Sequence, residues 1–310
     1  MKKLAALALL ALAVAYGLQP LNSAERRIVA LGPEANAGDA TAALASLGGN
    51  SRLSAAALAL AGTAGSLDPD RGVISIDFGL AAVAVPVESA SHVLVSFQEG
   101  TRREEMATVI ADKLGWTPEQ RAEFEGGDGS CHFLGAEGYL FPDRYLVPRD
   151  ALPAEVLAAM ESRFHEVYAE LSAEGGNVAD DPETVVRIAS LIQREAGGRG
   201  DMALISGIIW NRVNSGMPLQ IDATLQYAKG SEKLWWPRVR AKDKSIDSPF
   251  NTYQNDGLPP GPIANPGEAA LEAAMRPEDT ACLFYIHDKN RTIHCASDYA
   301  THKQNIRWYL

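Results

Sequence analysis

The sequence has little cysteine, no histidine pattern typical of a metal site and no excess of positive charge. The three cysteines, Cys131, Cys282 and Cys295, show no CxxC spacing, and the six histidines form neither an HExxH motif nor a Cys/His cluster. The familiar zinc patterns are therefore missing. A net charge of −11 leaves no basic stripe to neutralise phosphates. We expect no metal, no other cofactor and no nucleic-acid partner.

The first 24 residues predict an export signal or a membrane anchor. Two lysines precede an apolar run at positions 4–18, which is longer than most signal cores and shorter than a typical transmembrane helix. Length alone leaves both outcomes open. Because the positive charges lie at the N-terminus, either outcome places the rest of the chain outside the cytoplasm.

The remaining chain, with 46% hydrophobic and 22% charged residues, predicts an ordinary α+β globular protein. Residues 25–90 are rich in Ala, Gly and Ser and weakly specified, with a strand near 73–78. A strand at 92–97 is followed by capping boxes at Thr101 and Thr117, each of which predicts a short helix. A further helix is expected at about 152–171.

Capping signals also divide the C-terminal half. Asp201 and Asn265 stand where N-caps are expected, before helical patterns that end near Gly216 and Pro277. A hairpin and a final helix follow. Cys282 and Cys295 flank the hairpin, so they could form a disulfide or remain two core thiols.

Glu195 is the principal candidate for chemistry. Apolar residues recur at helical spacing from 185 to 192, and Glu195 occupies the next position on that stripe. A carboxyl group on a buried face loses water, which raises its pKa towards the range of a general acid. The alternative is a glutamate at the end of the helix that turns out to solvent.

Four motifs in order, at 189–196, 211–227, 248–267 and from Phe284 to His302, resemble the endolytic murein transglycosylase family, known as MltG or YceG-like. Upstream, residues 97–115 resemble its LysM-like subdomain, and residues 137–145 resemble the segment that joins this subdomain to the catalytic part. The resemblance implies cleavage between N-acetylmuramic acid and N-acetylglucosamine in peptidoglycan, with Glu195 as the single acid/base. The muramic C6 hydroxyl closes onto C1 and gives a 1,6-anhydro end, so no second carboxylate is needed as nucleophile.

The same motifs supply candidate substrate-binding residues. If residues 219–224 are extended, Gln220, Asp222 and Thr224 share one face and could bind sugar hydroxyls or orient Glu195; a turn stabilised by Asp222 is the alternative. Asn251, Thr252 and Tyr253 offer amide, hydroxyl and phenol groups for a cleft wall, or else hold an irregular loop together.

Two tryptophans, Trp235 and Trp236, could stack on sugars or pack against the protein. His294 is assigned no role, and His302 fits the family pattern near the C-terminus.

The expected organisation is therefore an anchor or signal at 1–24, a poorly specified region at 25–90, a LysM-like subdomain and connection at 91–148, and a mixed α/β catalytic domain at 149–310. The expected partners are glycan strands, with peptidoglycan synthases as further candidates. The expected location is the inner membrane, with the body facing the periplasm or cell wall, or secretion after cleavage. An inactive glycan- or synthase-binding relative and a hydrolytic muramidase remain alternative functions.

Overall fold

The computed structural model describes residues 92–126, 137–175 and 181–310, together with residue 28 and the backbone of four strands between residues 29 and 86. The predicted anchor or signal at 1–24 and Cys131 lie outside this part. The chain divides into two compact units: Met1–Gln98, Ala107–Ser130 and Asp143–Ala159 form the first, and Glu99–Met106, Cys131–Pro142 and Met160–Leu310 form the second.

Two antiparallel sheets belong to the first unit, with strand orders β1-β6-β5 and β2-β3-β4. Its elements are β1 (Val29–Ala30), β2 (Gly65–Asp68), β3 (Val73–Asp77), β4 (Ala82–Pro86), β5 (His92–Ser96), α1 (Arg103–Leu114, begun in the second unit), α2 (Pro118–Phe124) and β6 (Arg144–Pro148). Strands β5 and β6 pair from His92 opposite Pro148 to Ser96 opposite Arg144.

The core of the first unit lies on β5 and β6. The central residues of both strands are apolar and almost fully buried, and Leu94 and Leu146 have no exposed area. Helix α2 begins as predicted, because the Thr117 hydroxyl accepts the Gln120 N–H while the Gln120 side chain accepts the Thr117 N–H. These reciprocal bonds satisfy two donors that the first turn of a helix leaves without partners.

The second unit is mainly helical. Its elements are α3 (Pro153–Ala173, begun in the first unit), α4 (Pro182–Glu195), a 3-10 turn (Arg199–Asp201), α5 (Met202–Asn214), α6 (Asp222–Lys229), a second 3-10 turn (Ala241–Ser245), α7 (Glu268–Met275), β7 (Phe284–His287), β8 (Ile293–Ala296) and α8 (Tyr299–Tyr309). Strands β7 and β8 form the predicted hairpin, with Tyr285 opposite Cys295.

Helix α4 is the centre of the second core. It packs against α7 and α5, and Val185, Ile188 and Ile192 have no exposed area. The buried Ser190 hydroxyl donates to the Arg187 carbonyl at 2.7 Å and accepts the Ile263 N–H at 3.1 Å. Since both of these bonds satisfy the Ser190 hydroxyl, this polar side chain can be buried in the core with little desolvation penalty.

Of the two predicted N-caps, the one at Asn265 is wrong. Helix α7 begins at Glu268 after Gly267, while the fully buried Asn265 accepts the N–H groups of Gly138 and Leu140 at 2.8 and 3.0 Å. Asp201 is the N-cap residue of α5, as predicted, but its side chain makes no capping hydrogen bond to that helix. Its carboxylate points back along the chain to the N–H groups of Gly197 and Gly198. Both side chains satisfy donors outside the helices that they precede.

A disulfide joins Cys282 and Cys295, which answers the question that the sequence left open. Helices and sheets are both present, as the predicted α+β class requires. In the described part of the chain, no helix combines the length and the apolar character needed to cross a bilayer.

We predict that Gly207→Ala destabilises the second unit by about 1–3 kcal/mol, the usual cost of overpacking a core. A Cβ atom at Gly207, within α5, would lie 2.2 Å from the Glu278 carbonyl oxygen. Helix propensity alone favours the substitution by about 1 kcal/mol, so a loss would identify the steric clash. Urea unfolding measures the change. Gly200→Ala, where the Cβ meets no atom within 4 Å, is the matched control, and equal stabilities for the two variants would contradict the prediction.

Candidate functional site

Glu195 is the last residue of α4. The helix begins after Asp181, whose side chain accepts the N–H groups of Glu183 and Thr184 at 3.2 and 3.1 Å. At its other end the backbone turns to an extended conformation at Ala196. The buried stripe therefore ends in a carboxyl group at the edge of the core, and Glu195 itself is partly exposed.

The Glu195 carboxyl group keeps its proton to a higher pH than a free glutamic acid because protein surrounds most of it. Burial raises its pKa above the ordinary value, and the negative charge of Asp222 acts in the same direction. Three groups oppose this shift: the Tyr285 hydroxyl, which donates to Glu195 Oε2 at 2.6 Å, the backbone N–H of Ala223, and the charge of His287. Burial is the largest effect, so the pKa remains raised.

Tyr285 is a permanent hydrogen-bond donor to this carboxyl group. Burial and the neighbouring charge of Glu195 raise the pKa of the Tyr285 hydroxyl well above its ordinary value, so the phenol keeps its proton at any physiological pH. Its strand is held at several points. The Cys282–Cys295 disulfide closes the hairpin, and Arg212 Nε donates to the carbonyl of Leu283 at 2.6 Å.

Arg212 places a largely buried cation near the acid. Its second bond, from Nη1 to the Leu219 carbonyl at 2.6 Å, also ends on a neutral acceptor. Burial lowers the pKa of the guanidinium, whereas the charge of the Glu195 carboxylate acts to raise it. Because both acceptors are neutral carbonyl groups, they do not neutralise the positive charge of Arg212. This charge favours the ionised form of Glu195 over the protonated form.

The prediction that Gln220, Asp222 and Thr224 share one face of an extended segment is wrong, because helix α6 begins at Asp222. Gln220, just before it, is exposed and has a positive φ of 51°, a strained conformation for a residue other than glycine. Asp222 is also exposed and accepts the Tyr253 hydroxyl at 2.7 Å. The helix start directs the N–H of Ala223 towards Glu195, as helix N-termini do towards anions.

The other three predicted binding residues are buried and bonded internally. Thr252 Oγ1 accepts the Ile221 N–H at 3.0 Å and lies 3.0 Å from Thr224 Oγ1. Asn251 donates to the carbonyl groups of Lys244 and Ile246 at 3.1 and 2.8 Å. These bonds hold the loop that carries Tyr253 against the segment that carries Gln220 and Asp222.

Trp236 packs against the protein. Its indole N–H donates to Glu105 Oε1 at 2.9 Å, and the Arg194 guanidinium lies 3.6 Å from its ring centroid. Trp235 lies within 5.2 Å of the Arg102 guanidinium. His302 stacks on Phe284. None of these side chains contacts Glu195.

The sequence alone suggested no catalytic or binding role for Tyr285, Arg212, Asp201 or His287. Alternation along a strand places Tyr285 and His287 on the same face of β7, and this was the available signal. In the described part of the chain, no three His, Cys, Asp or Glu side chains form a group suited to a metal ion. The site can hold a proton on one carboxyl group, stabilise the carboxylate that remains after its transfer, and offer hydroxyl and amide groups beside it.

Comparison with known proteins places this chain in a family. The sequence profile of the YceG-like family matches residues 77–308. An endolytic murein transglycosylase of Bacillus subtilis strain 168 is 38% identical over 155 residues, which are 50% of this chain and 42% of the relative. One from Streptococcus pneumoniae serotype 2 strain D39 is 32% identical over 177 residues, 55% of this chain and 31% of the relative. The alignments thus span less than half of each curated relative.

Structural similarity agrees. The crystal structure of a YceG-like protein from Listeria monocytogenes matches with a TM-score of 0.53 and 26% identity, over 70% of this chain and 76% of the solved one. Fold and site together define an α+β protein whose buried helix presents a tyrosine-bonded glutamic acid at the edge of its core. Because the family profile covers most of its length, the chain belongs to the YceG-like family.

We predict that Glu195→Gln raises the free energy of unfolding at neutral pH. The unfolded carboxyl titrates near its ordinary pKa of 4.5, while burial raises the folded value. The folded state then binds more protons, so wild-type stability falls as pH rises through the window between the two values. Glutamine cannot ionise.

The difference in stability between the variant and the wild type, measured by denaturant unfolding, should therefore grow as pH rises above the ordinary carboxyl pKa of 4.5. Glu278→Gln removes an exposed carboxylate and controls for the lost charge. A difference that does not change with pH would contradict the raised pKa.

Proposed function

We propose that this protein is an endolytic lytic transglycosylase that cleaves the bond between N-acetylmuramic acid and N-acetylglucosamine in peptidoglycan. The observation that carries the proposal is the Glu195 carboxyl group, which has a raised pKa and accepts a 2.6 Å hydrogen bond from Tyr285. The names of the curated relatives supply the substrate class.

In the proposed reaction Glu195 acts twice. As an acid it donates its proton to the glycosidic oxygen while the bond from that oxygen to muramic C1 breaks. The Tyr285 hydroxyl, the Ala223 N–H and the charge of Arg212 stabilise the carboxylate that remains. As a base Glu195 then takes the proton of the muramic C6 hydroxyl as its oxygen bonds to C1. The 1,6-anhydro end forms, the enzyme regains its proton, and no water is consumed.

Asp222 gives a specific reason to retain the muramidase as a second candidate. Its charge raises the pKa of Glu195, so a second carboxylate lies near the acid. There it could direct a water molecule, as in inverting glycosidases. The Tyr253 hydroxyl occupies one of its oxygens, which favours a role in holding the site or a sugar hydroxyl.

The binding residues separate into two roles in this proposal. Gln220, Asp222 and Tyr253 retain exposure and contact the sugars. Thr224, Asn251 and Thr252 shape the wall from beneath through their internal bonds. The strand–helix–helix–strand segment from β5 to β6 is the proposed LysM-like subdomain, which would bind the glycan.

The proposed location is the inner membrane, with residues 1–24 as anchor and the body in the periplasm or cell wall, or secretion after cleavage. The Cys282–Cys295 disulfide supports a position outside the cytoplasm, because such bonds persist in oxidising compartments. There the enzyme would limit the length of nascent strands beside their synthases.

Purified glycan strands incubated with the protein should acquire 1,6-anhydro ends, detected by mass spectrometry, and Glu195→Gln should lose this activity because it cannot donate a proton. Glu278→Gln is the matched control at an exposed position. New reducing ends would instead identify the muramidase. Unchanged strands with the wild-type protein would favour the glycan- or synthase-binding relative.

Removing the tyrosine hydroxyl should shift the pH dependence of cleavage. A general acid must be protonated, so kcat/KM falls as pH rises through the pKa of Glu195. The Tyr285 hydrogen bond lowers that pKa, and Tyr285→Phe should therefore move the descending limb to higher pH. Tyr299→Phe, which removes a hydroxyl from an exposed residue, should leave it unchanged. A limb that moves to lower pH in Tyr285→Phe would contradict the assigned hydrogen bond.

A further inference from the structure

Asp201 makes three hydrogen bonds, none of which caps α5, although the one from the Gly198 N–H also closes the 3-10 turn that follows Gly198. The N–H groups of Gly197 and Gly198 donate to its two carboxylate oxygens at 2.9 and 3.2 Å. His287 Nε2 lies 2.6 Å from Oδ2. An ionised carboxylate only accepts hydrogen bonds, so this imidazole nitrogen is the donor. Asp201 retains only 8% of its accessible surface, and bonds of this kind are stronger than those between neutral groups.

These partners lie on both sides of the bond between Glu195 and Tyr285. Gly197 and Gly198 directly follow the acid, where the chain leaves α4. His287 stands two residues after Tyr285 on β7 and shares its face of the strand. The two rings are neighbours, with centroids 5.9 Å apart. One carboxylate therefore links the segment that carries the acid to the strand that carries its hydrogen-bond donor.

Close packing restricts movement at this link. A Cβ atom at Gly197 would lie 3.0 Å from Asp201 Oδ2, 3.1 Å from the Arg291 carbonyl oxygen and 3.1 Å from His287 Cδ2. The glycine lets the backbone approach the Asp201–His287 pair closely. A side chain at position 197 would therefore press against both the Asp201–His287 pair and the hairpin.

We propose that Asp201 and His287 are positioning residues that hold the Glu195 carboxyl group and the Tyr285 hydroxyl in register for proton transfer. The inference rests on the proposed function and deepens it. Neither residue contacts the scissile bond in this account, and both act through the acid and its tyrosine.

The charges around the acid give the pair a second, measurable effect. A protonated His287 favours the Glu195 carboxylate and lowers the pKa of Glu195, while the charge of Asp201 raises the pKa of Tyr285. The titratable and charged groups that face Glu195 come from five places in the second unit: Tyr285 and His287 on β7, Asp222 on α6, Arg212 on α5, Arg194 on α4, and Tyr253 in the loop before α7. Replacing His287 by a residue that cannot titrate removes this effect on Glu195.

Two substitutions at one position separate geometry from charge. His287→Gln keeps an N–H donor for Asp201 but removes the titratable ring, so kcat should stay within about 3-fold while the descending limb of the pH profile moves to higher pH. His287→Leu removes the donor as well, and kcat should fall about 10- to 100-fold with KM nearly unchanged, as for misplaced catalytic groups.

A matched control lies on the same hairpin. His294 Nε2 binds Asp288 Oδ2 at 3.1 Å and forms a second His–Asp pair. His294→Leu should leave kcat and the descending limb at their wild-type values.

Asp201→Asn combined with His287→Leu should be no slower than the slower single variant, because the effects of residues that act as one unit are not additive.

A measurement without substrate keeps this inference separate from the proposed function. Carbon-13 NMR of the side-chain carboxyl groups, with Glu195→Gln identifying the signal, should show a higher pKa for Glu195 in both His287 variants. That rise with no cleavage by the wild-type protein would reject the transglycosylase and leave the link between the pair and the acid intact. A wild-type pKa and kcat in His287→Leu would overturn the inference, as would equal loss of kcat in the Gln and Leu variants.

Discussion

The burial of one carboxyl group at the end of a core helix is the constraint on which the rest of the site depends. Glu195 could reach water, as glutamates at helix ends usually do, but its carboxyl group is surrounded by protein that raises its pKa. Such a group must be satisfied in both protonation states. Tyr285 and the N–H of Ala223 donate to it when it is charged, and when protonated it can itself donate a proton. The site therefore keeps an acid ready at a cost in stability that the packing of α4 offsets.

Much of the fold was predictable because its signals are local. Caps and helical periodicity located α2 and α4, and Glu195 was identified from the apolar stripe that it interrupts. The errors arose where one side chain could bind either locally or far away. Asp201 and Asn265 have the composition of N-caps, yet Asn265 binds Gly138, 127 residues distant. Local patterns cannot choose between such partners.

Site residues were predicted unevenly for the same reason. Glu195 can be recognised in the sequence because its neighbours on the same helix face are apolar. The role of Tyr285 depends on a hydrogen bond to a partner 90 residues away. Residues 220–224 provided polar groups in alternation, which suggested a strand, but α6 spans only eight residues and is too short for a clear helical period. Its start at Asp222 is what presents the Ala223 N–H to the acid.

Helix α5 resolves a mechanical difficulty in this arrangement. A hairpin of two four-residue strands is marginally stable alone, yet β7 must hold Tyr285 within hydrogen-bond distance of the acid. The disulfide closes the hairpin but does not attach it to the core. Residues at both ends of α5 make that attachment: Asp201 binds His287, Asn211 binds the carbonyl groups of Thr280 and Cys282, and Arg212 binds that of Leu283. Helix α5 follows α4 after six residues and packs against it. The acid at the end of α4 and the strand that carries its tyrosine are therefore both held by this pair of helices.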